Sequence, residues 1–418
     1  MYKELVKHLS NAVTQQFNSI SNAEESEALV SHWLHTSKFY GTDDPVFSDM
    51  LTKEKCNFLQ SHNLTYGDLT AEVPFYPTNR AKFNFVDLFA GIGGFNLALS
   101  SIDGSCVFSS EWDKSAKTTY FNNYGKMPFG DINKITNDKI TDNEISSFIP
   151  DHTVLAGGFP CQPFSRAGVS ARTALGQAHG FECETQGTLF HSIARIAYVK
   201  QPEIVFMENV RSITTHNDGE TFKVVRQTME TLSGGSDTKK NYKFFYKLVN
   251  SETLVPQRRV RCFMIAVRED VWKTRGDFVF PEFSGQSIPL SDALDQLTMD
   301  EQKEYTISDK LWAGHQNRTK RNLERNTGFT AHVADISRPS NTIVARYGKD
   351  GKECLVPQVG ENPRKLTKNE CRKLFGYPKG FIMPAAKTPT YKQFGNSVVV
   401  PVVTEIAKSI QHYLWSLK

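Results

Sequence analysis

Short apolar runs recur through the middle of the chain: FVDLF from Phe85, CVFSSE from Cys106, TVLAGGF at 153–159, EIVFMENV at 203–210 and RCFMIAVRED at 261–270. Helix-capable stretches such as NLALSS fall between them. Apolar strands alternating with helices predict an α/β fold, a parallel sheet joined by crossover helices. The flanks read differently. Residues 1–70 have the pattern of short amphipathic helices, with turns at Gly41 to Pro45 and Asn63 to Gly67, and VPFYPTNRAKF at 73–83 reads as a linker. After Asp270 the strand rhythm stops, and 271–363 is polar, irregular and basic. Glycine-turn chemistry returns at FGNSVVVP, ahead of a helix-capable segment from Val398 to Leu414. The expected division is therefore 1–82, 83–270, 271–363 and 364–418, with no internal repeat.

With 418 residues, 39% of them hydrophobic, the chain can bury a large core. No apolar run reaches the about 18 residues of a membrane helix, and the N-terminus MYKELVKHLSNAV is amphipathic, so a cytoplasmic protein is expected. Seven cysteines, without close paired spacing, argue against a disulfide framework and against a zinc site. No metal is expected. Charge is unevenly spread. Residues 1–70 carry nine acids against five lysines, a balance of −4, whereas 310–350 carry eight basic residues against three acids, a balance of +5. Such a basic segment suits a polyanionic partner, and a solvated helix face accounts for it equally well.

Candidate chemistry begins with Pro160-Cys161 in LAGGFPCQPFS at 155–165, a single thiol on a Gly- and Pro-bent turn directly after an apolar strand. A thiolate displayed there is a strong nucleophile with little freedom left to lose; a structural loop cysteine is the alternative. A second turn places Gly91, Gly93 and Gly94 where a strand becomes a helix, the geometry in which backbone approaches a nucleotide-like cofactor closely. Nicotinamide, flavin and adenosyl groups all fit such a turn. Glu111, at the end of the next strand, is placed to accept from two ribose hydroxyls, Trp112 offers a flat face to a purine, and Asp131 can accept from an adenine amine. Helix caps or surface carboxylates are the plainer roles for Glu111 and Asp131.

Taken in order, FVDLFAGIGGF, SSEWD, FGDI, GGFPCQPFS, QGTLF, FMENV, PQRRVR, RKLTKNECRKLFGYP and QFGNSVVVPV make the chain resemble a bacterial DNA (cytosine-5) methyltransferase from about Phe83 onward. Within that family AGVSARTALGQAHGFECETQGTLF, TIVARYGKDGKECLV and the acidic N-terminal extension are similar to the Dcm-type enzymes. The resemblance implies a Rossmann-like, S-adenosylmethionine-dependent methyltransferase domain with a mostly parallel sheet, a smaller irregular target recognition domain at 271–363, and an N-terminal helical extension. It implies that 364–418 returns to complete the catalytic domain, its helix packing against the first strand-helix unit.

By the same resemblance Cys161 adds to carbon 6 of a cytosine flipped out of duplex DNA, and Glu208 holds or protonates ring nitrogen 3. Arg259 and Arg261 resemble the family's paired arginines, which position the cytosine carbonyl and steady the thiolate. A spacing of two on a strand points both to one face, with Arg258 turned away. Cofactor contacts fall on Phe89, Ile92, Gly94, Glu111, Trp112, Asp131, Ile132, Pro160, Leu189, Asn396, Ser397 and Val398. Ser165 to Glu184 is the candidate mobile loop, and Gln186 stands where the commonest family pattern has an arginine. In the basic segment Arg346, Tyr347 and Lys349 are placed to reach a groove, or simply form a hairpin. The expected partner is double-stranded DNA carrying a short palindrome with an internal cytosine. A monomer is expected, with a restriction endonuclease encoded separately as a possible companion. An RNA (tRNA) cytosine-5 methyltransferase of the same fold is the rival activity, and a DNA-binding regulator without catalysis the rival class.

Overall fold

The structure is a computed structural model and describes residues 1–16, 23–36, 45–77, 81–159, 189–326 and 331–416. The chain divides into two compact units. The first comprises Met1–Leu248, Arg261–Phe280 and Ala407–Lys418, and the second Val249–Val260 and Pro281–Ile406.

The first unit is built on strands β1 (Phe83–Leu88), β2 (Gly104–Ser110), β3 (Val154–Gly158), β4 (Ile204–Val210), β5 (Tyr242–Asn250) and β6 (Val260–Arg268). They form one six-stranded sheet in the order β2-β1-β3-β4-β6-β5. Pairings β1–β2, β1–β3 and β3–β4 are parallel, and β6 runs antiparallel to β4. The mostly parallel α/β sheet is the one the apolar runs predict. Both faces are covered, which explains why the runs are apolar without alternation. Val86, Leu88, Leu155, Val205 and Met207 share one core with Phe190, Ile193 and Ile196 of the helix Leu189–Lys200. On the other face Phe95 meets Phe206 edge-on at 5.0 Å.

The chain leaves β1 for β2 on one side and returns to β3 on the other. A cleft at the carboxyl ends of β1 and β3 is therefore the topological switch point, where open α/β sheets hold their ligands. Register brings those ends level, with Leu88 opposite Gly157 and Gly158 opposite Glu208.

The N-terminal stretch forms α1 (Tyr2–Gln16), α2 (Ala23–Thr36), α3 (Pro45–Ser61) and α4 (Tyr66–Thr70). In α1 the buried Tyr2, Leu5, Val6, Leu9 and Val13 follow the helical period, and with Val30, Trp33, Leu51 and Phe58 they make a second core. Phe121 joins that core from the helix that follows β2, so the extension is packed onto the sheet unit. At the other end of the chain the helix Val400–Trp415 brings the Trp415 ring to 5.0 Å from Phe83, and Gln411 Nε2 donates to Ile102 O at 3.0 Å. No helix among the described residues is long and apolar enough to cross a membrane.

The second unit holds the basic helix Asp309–Glu324 and the helices Lys368–Leu374 and Lys387–Asn396. Its centre contains a buried bidentate pair, Arg364 Nη1 and Nη2 each 2.8 Å from a Glu370 oxygen. Glu370 also accepts from Thr367 N, so both its charge and its lone pairs are answered.

Candidate active site

At the end of β1 the backbone makes three left-handed steps, at Phe89 (φ 54°), Gly91 (φ 54°) and Gly93 (φ 84°), before the helix α5 (Gly94–Ser100) begins. Ala90 N donates to Ser110 O at 2.9 Å and Gly93 N to Ala90 O at 2.7 Å, which tie this turn to the sheet. A Cβ added to Gly91 would meet nothing within 4 Å, so the turn faces open space there. Ile92 is buried beneath it.

Glu111 follows β2 and points its carboxylate at this turn. Its Oε2 accepts from Gly91 N and its Oε1 from Asp113 N, both at 2.8 Å. Burial raises the carboxyl pKa, and the backbone donors at Asp113 and Gly91 pull it back. Each oxygen keeps a further lone pair for an incoming hydroxyl. Next to it Trp112 is 82% exposed, a large ring with no packing role of its own. Asp131 is exposed, its Oδ1 accepting from Asn133 N and Nδ2, while Ile132 is buried beside it. Leu189 is half-buried at the start of its helix. An open glycine turn, a diol-accepting carboxylate and a free indole face fit the ribose and purine of an adenosyl cofactor.

The second cluster lies at the ends of β3 and β4. Glu208 is 9% exposed, and its Oε1 lies 3.2 Å from Arg261 Nε. Burial lowers the Arg261 pKa and the Glu208 charge restores part of it. Burial and the same carboxylate push the neighbouring Cys262 thiol up to about 12, so Cys262 stays protonated. A Cβ on Gly158 would come 3.2 Å from Glu208 Oε2, which places that oxygen directly over the end of β3. Pro160, Cys161 and the loop Ser165 to Glu184 lie outside the described residues.

Arg259 belongs to the second unit. The strand begins at Val260, one residue after it, so the alternation argument reaches Arg261 but not Arg259. Its Nη1 donates to Ile343 O, and its Nη2 to Gly395 O and Ser397 O, at 2.8–3.0 Å. Its guanidinium also stacks over Phe375. It thereby pins the C-terminal end of the helix Lys387–Asn396. Arg258 is exposed and paired with Glu252. Asn396 is exposed, Val398 is buried, and Ser397 Oγ lies 2.6 Å from Tyr377 Oη. Tyr347 is buried and bonds Cys354 O, inside a short helical turn Tyr347–Asp350 and not on a hairpin.

Three residues that sequence reasoning passed over prove structural partners of the site. Asn209 Nδ2 donates to Phe159 O at 2.8 Å, holding the backbone one residue before Pro160. Gln257 bridges Leu374 O and Ile343 N within the second unit. Tyr124 Oη donates to the Ile92 and Gly93 carbonyls. The first two sit inside FMENV and PQRRVR, where an uncharged amide beside a strand end was the available signal.

Comparison with known proteins agrees with this geometry. The profile of the C-5 cytosine-specific DNA methylases matches residues 83–412. The chain is 40% identical over 343 residues to the type II methyltransferase M.SsoII of Shigella sonnei, covering 81% of this chain and 83% of that protein. It is 36% identical over 369 residues to the DNA-cytosine methyltransferase of Escherichia coli (strain K12), covering 79% and 77%. In fold it is similar to the Dnmt2 methyltransferase of S. pombe (TM-score 0.54, 16% identity, 79% of this chain and 98% of that one). It is likewise similar to the methyltransferase EhMeth of Entamoeba histolytica (TM-score 0.53, 17% identity, 81% and 98%). The chain belongs to the C-5 cytosine-specific DNA methylase family.

Proposed function

We propose that this cytosine-specific DNA methyltransferase works through Cys161, Glu208 and Arg261, with the β1 turn and the Glu111 carboxylate holding the methyl donor. The observation that carries the reading is the Glu208–Arg261 pair, set over Gly158 three residues before Cys161. Addition of the Cys161 thiolate to carbon 6 of a flipped cytosine forms a carbon–sulfur bond and moves an electron pair toward carbon 5. Glu208 holds ring nitrogen 3 and accepts from the exocyclic amine, relieving the charge that addition builds up. Arg261 keeps Glu208 oriented and is available to the cytosine carbonyl. S-adenosylmethionine, when bound, supplies the electrophilic methyl group that carbon 5 takes up. Loss of the carbon 5 proton and of the thiolate then restores the ring.

For the donor, Glu111 takes the ribose hydroxyls, Trp112 the purine face and Asp131 the exocyclic amine. Phe89, Ile92, Gly94, Ile132, Pro160 and Leu189, with Asn396, Ser397 and Val398, supply the remaining contacts. Arg259 serves by fixing the carbonyls of Gly395 and Ser397 at the end of the helix Lys387–Asn396. The basic helix Asp309–Glu324 lies in the region assigned to target recognition, suited to duplex phosphates. A monomer acting in the cytoplasm on a short palindrome, beside a separately encoded restriction endonuclease, completes the proposal.

Labelled methyl transfer from S-adenosylmethionine to duplex DNA tests the central step. Cys161→Ser is expected to abolish transfer while DNA binding stays measurable. Transfer retained by that variant removes Cys161 from the nucleophile's place. Bisulfite sequencing of DNA from cells expressing the wild-type protein reads the target site directly.

A further inference from the structure

The region that matches the family begins at residue 83, yet the extension before it is built into the support of the glycine turn. The last residue of the helix α6 (Lys114–Tyr124) and three positions around it, Asn123, Gly125 and Met127, are gripped by the extension. Phe75 N donates to Asn123 O at 2.9 Å, and the Phe75 ring lies 6.2 Å from that of Tyr124. Tyr2 Oη donates to Gly125 O at 2.9 Å, and Ser31 Oγ accepts from Met127 N at 2.9 Å. Tyr124 also reaches the glycine turn. Its hydroxyl lies 3.1 Å from Ile92 O and 3.0 Å from Gly93 O, and a Cβ on Gly93 would fall 2.3 Å from its ring. The turn therefore rests on the Tyr124 ring and is tied to its hydroxyl at two carbonyls, while Glu111 holds it at Gly91 N.

We infer that the N-terminal extension, through Tyr2, Ser31 and Phe75, braces the glycine turn by way of Tyr124, so that Tyr124, and behind it Tyr2, are positioning residues for the methyl donor. The inference rests on the reading of that turn as the donor's cradle. Gly91 and Gly93 hold left-handed conformations, and the side chains of Glu111 and Tyr124 add two anchors to the backbone bonds that tie the turn to the sheet. The negative balance of residues 1–70 argues against a second phosphate-binding surface there.

The test uses the full-length protein and two conservative variants, Tyr124→Phe and Tyr2→Phe, each of which removes one hydroxyl and keeps the ring. Affinity for S-adenosylhomocysteine is read by calorimetry without turnover, alongside KM for S-adenosylmethionine, kcat and the Kd for duplex DNA. Tyr124→Phe is expected to weaken S-adenosylhomocysteine binding and raise KM about fivefold, the scale of one hydrogen bond. Tyr2→Phe, acting at one remove, is expected to give about a two- to threefold effect, with kcat and DNA affinity within about twofold of wild type for both. Unchanged donor affinity in both variants overturns the inference. So does an effect of Tyr124→Phe with Tyr2→Phe silent, because the extension would then have no part in the turn. A loss of DNA affinity with donor affinity intact assigns the extension to DNA and overturns the brace. Failure of the wild-type protein to bind S-adenosylhomocysteine sinks the cradle reading itself, a distinct result.

Discussion

In the proposed mechanism Glu208 handles the proton, and its carboxylate is held at the ends of β3 and β4. Arg261 engages Oε1 at 3.2 Å, and Oε2 lies over the end of β3. Glu208→Gln keeps the shape and removes both the charge and the proton, so kcat should fall about 10²–10⁴-fold, the range of general acid–base catalysis. Single-turnover methyl transfer measures this, and DNA affinity measured in parallel separates chemistry from binding. A decrease smaller than about tenfold would take Glu208 out of proton handling. The placement of Glu208 and Arg261 on strands was legible because a short apolar run is a local matter. The partners of Arg259 were not, since the carbonyls it binds lie 84, 136 and 138 residues away in sequence. Tyr124 was hidden for the same reason. Nothing in NNYG announces that its hydroxyl bonds a turn 31 residues earlier.

In the second unit the helix Lys387–Asn396 passes close to another stretch of backbone. A Cβ at Gly395 would lie 2.2 Å from Ala345 N and from the Val344 carbonyl carbon, both backbone atoms that no rotamer change can move aside. Gly395→Ala should therefore destabilise this unit by about 1–3 kcal/mol, as overpacking does. Gly314, inside the helix Asp309–Glu324, has nothing within 4 Å of its added Cβ. There Gly314→Ala should stabilise by about 0.5–1 kcal/mol through helix propensity. Urea unfolding of the two variants should give shifts of opposite sign, and shifts of equal sign would refute the packing argument. The sequence reading of FGNSVVVP as glycine-turn chemistry is corrected, since Gly395 lies inside the helix Lys387–Asn396. It could not say that the glycine exists for a backbone crossing at residues 344–345, because a close approach is written in two distant segments.

For the molecule as a whole, the sheet was readable because strands covered on both faces are written as near-continuous apolar runs. Strand order was not, because the reversal at β6 and its insertion between β4 and β5 depend on pairing across the fold. Global stability should carry a mark of one buried group that no motif contains. His152, just before β3, is held neutral. Burial lowers its pKa to about 4, opposed by its Nδ1 contact with Pro150 O, lowered a little further by Lys200 and raised a little by Asp151. Its Nε2 has no partner among the described residues. In the unfolded chain the ring takes up its proton near the ordinary value of about 6.5. Between those values the unfolded state binds more protons than the folded state, so stability rises with pH across the window and is lost as pH falls from about 6.5 toward 4. The full loss corresponds to about 3 kcal/mol at the acid end. His152→Asn removes the titration and keeps a donor for Pro150 O. Its baseline stability will be lower, yet the slope of its urea midpoint between pH 6.5 and 4 should be shallower than wild type by the equivalent of one proton. Parallel acid limbs for the two proteins would show that His152 is not the group that titrates on unfolding.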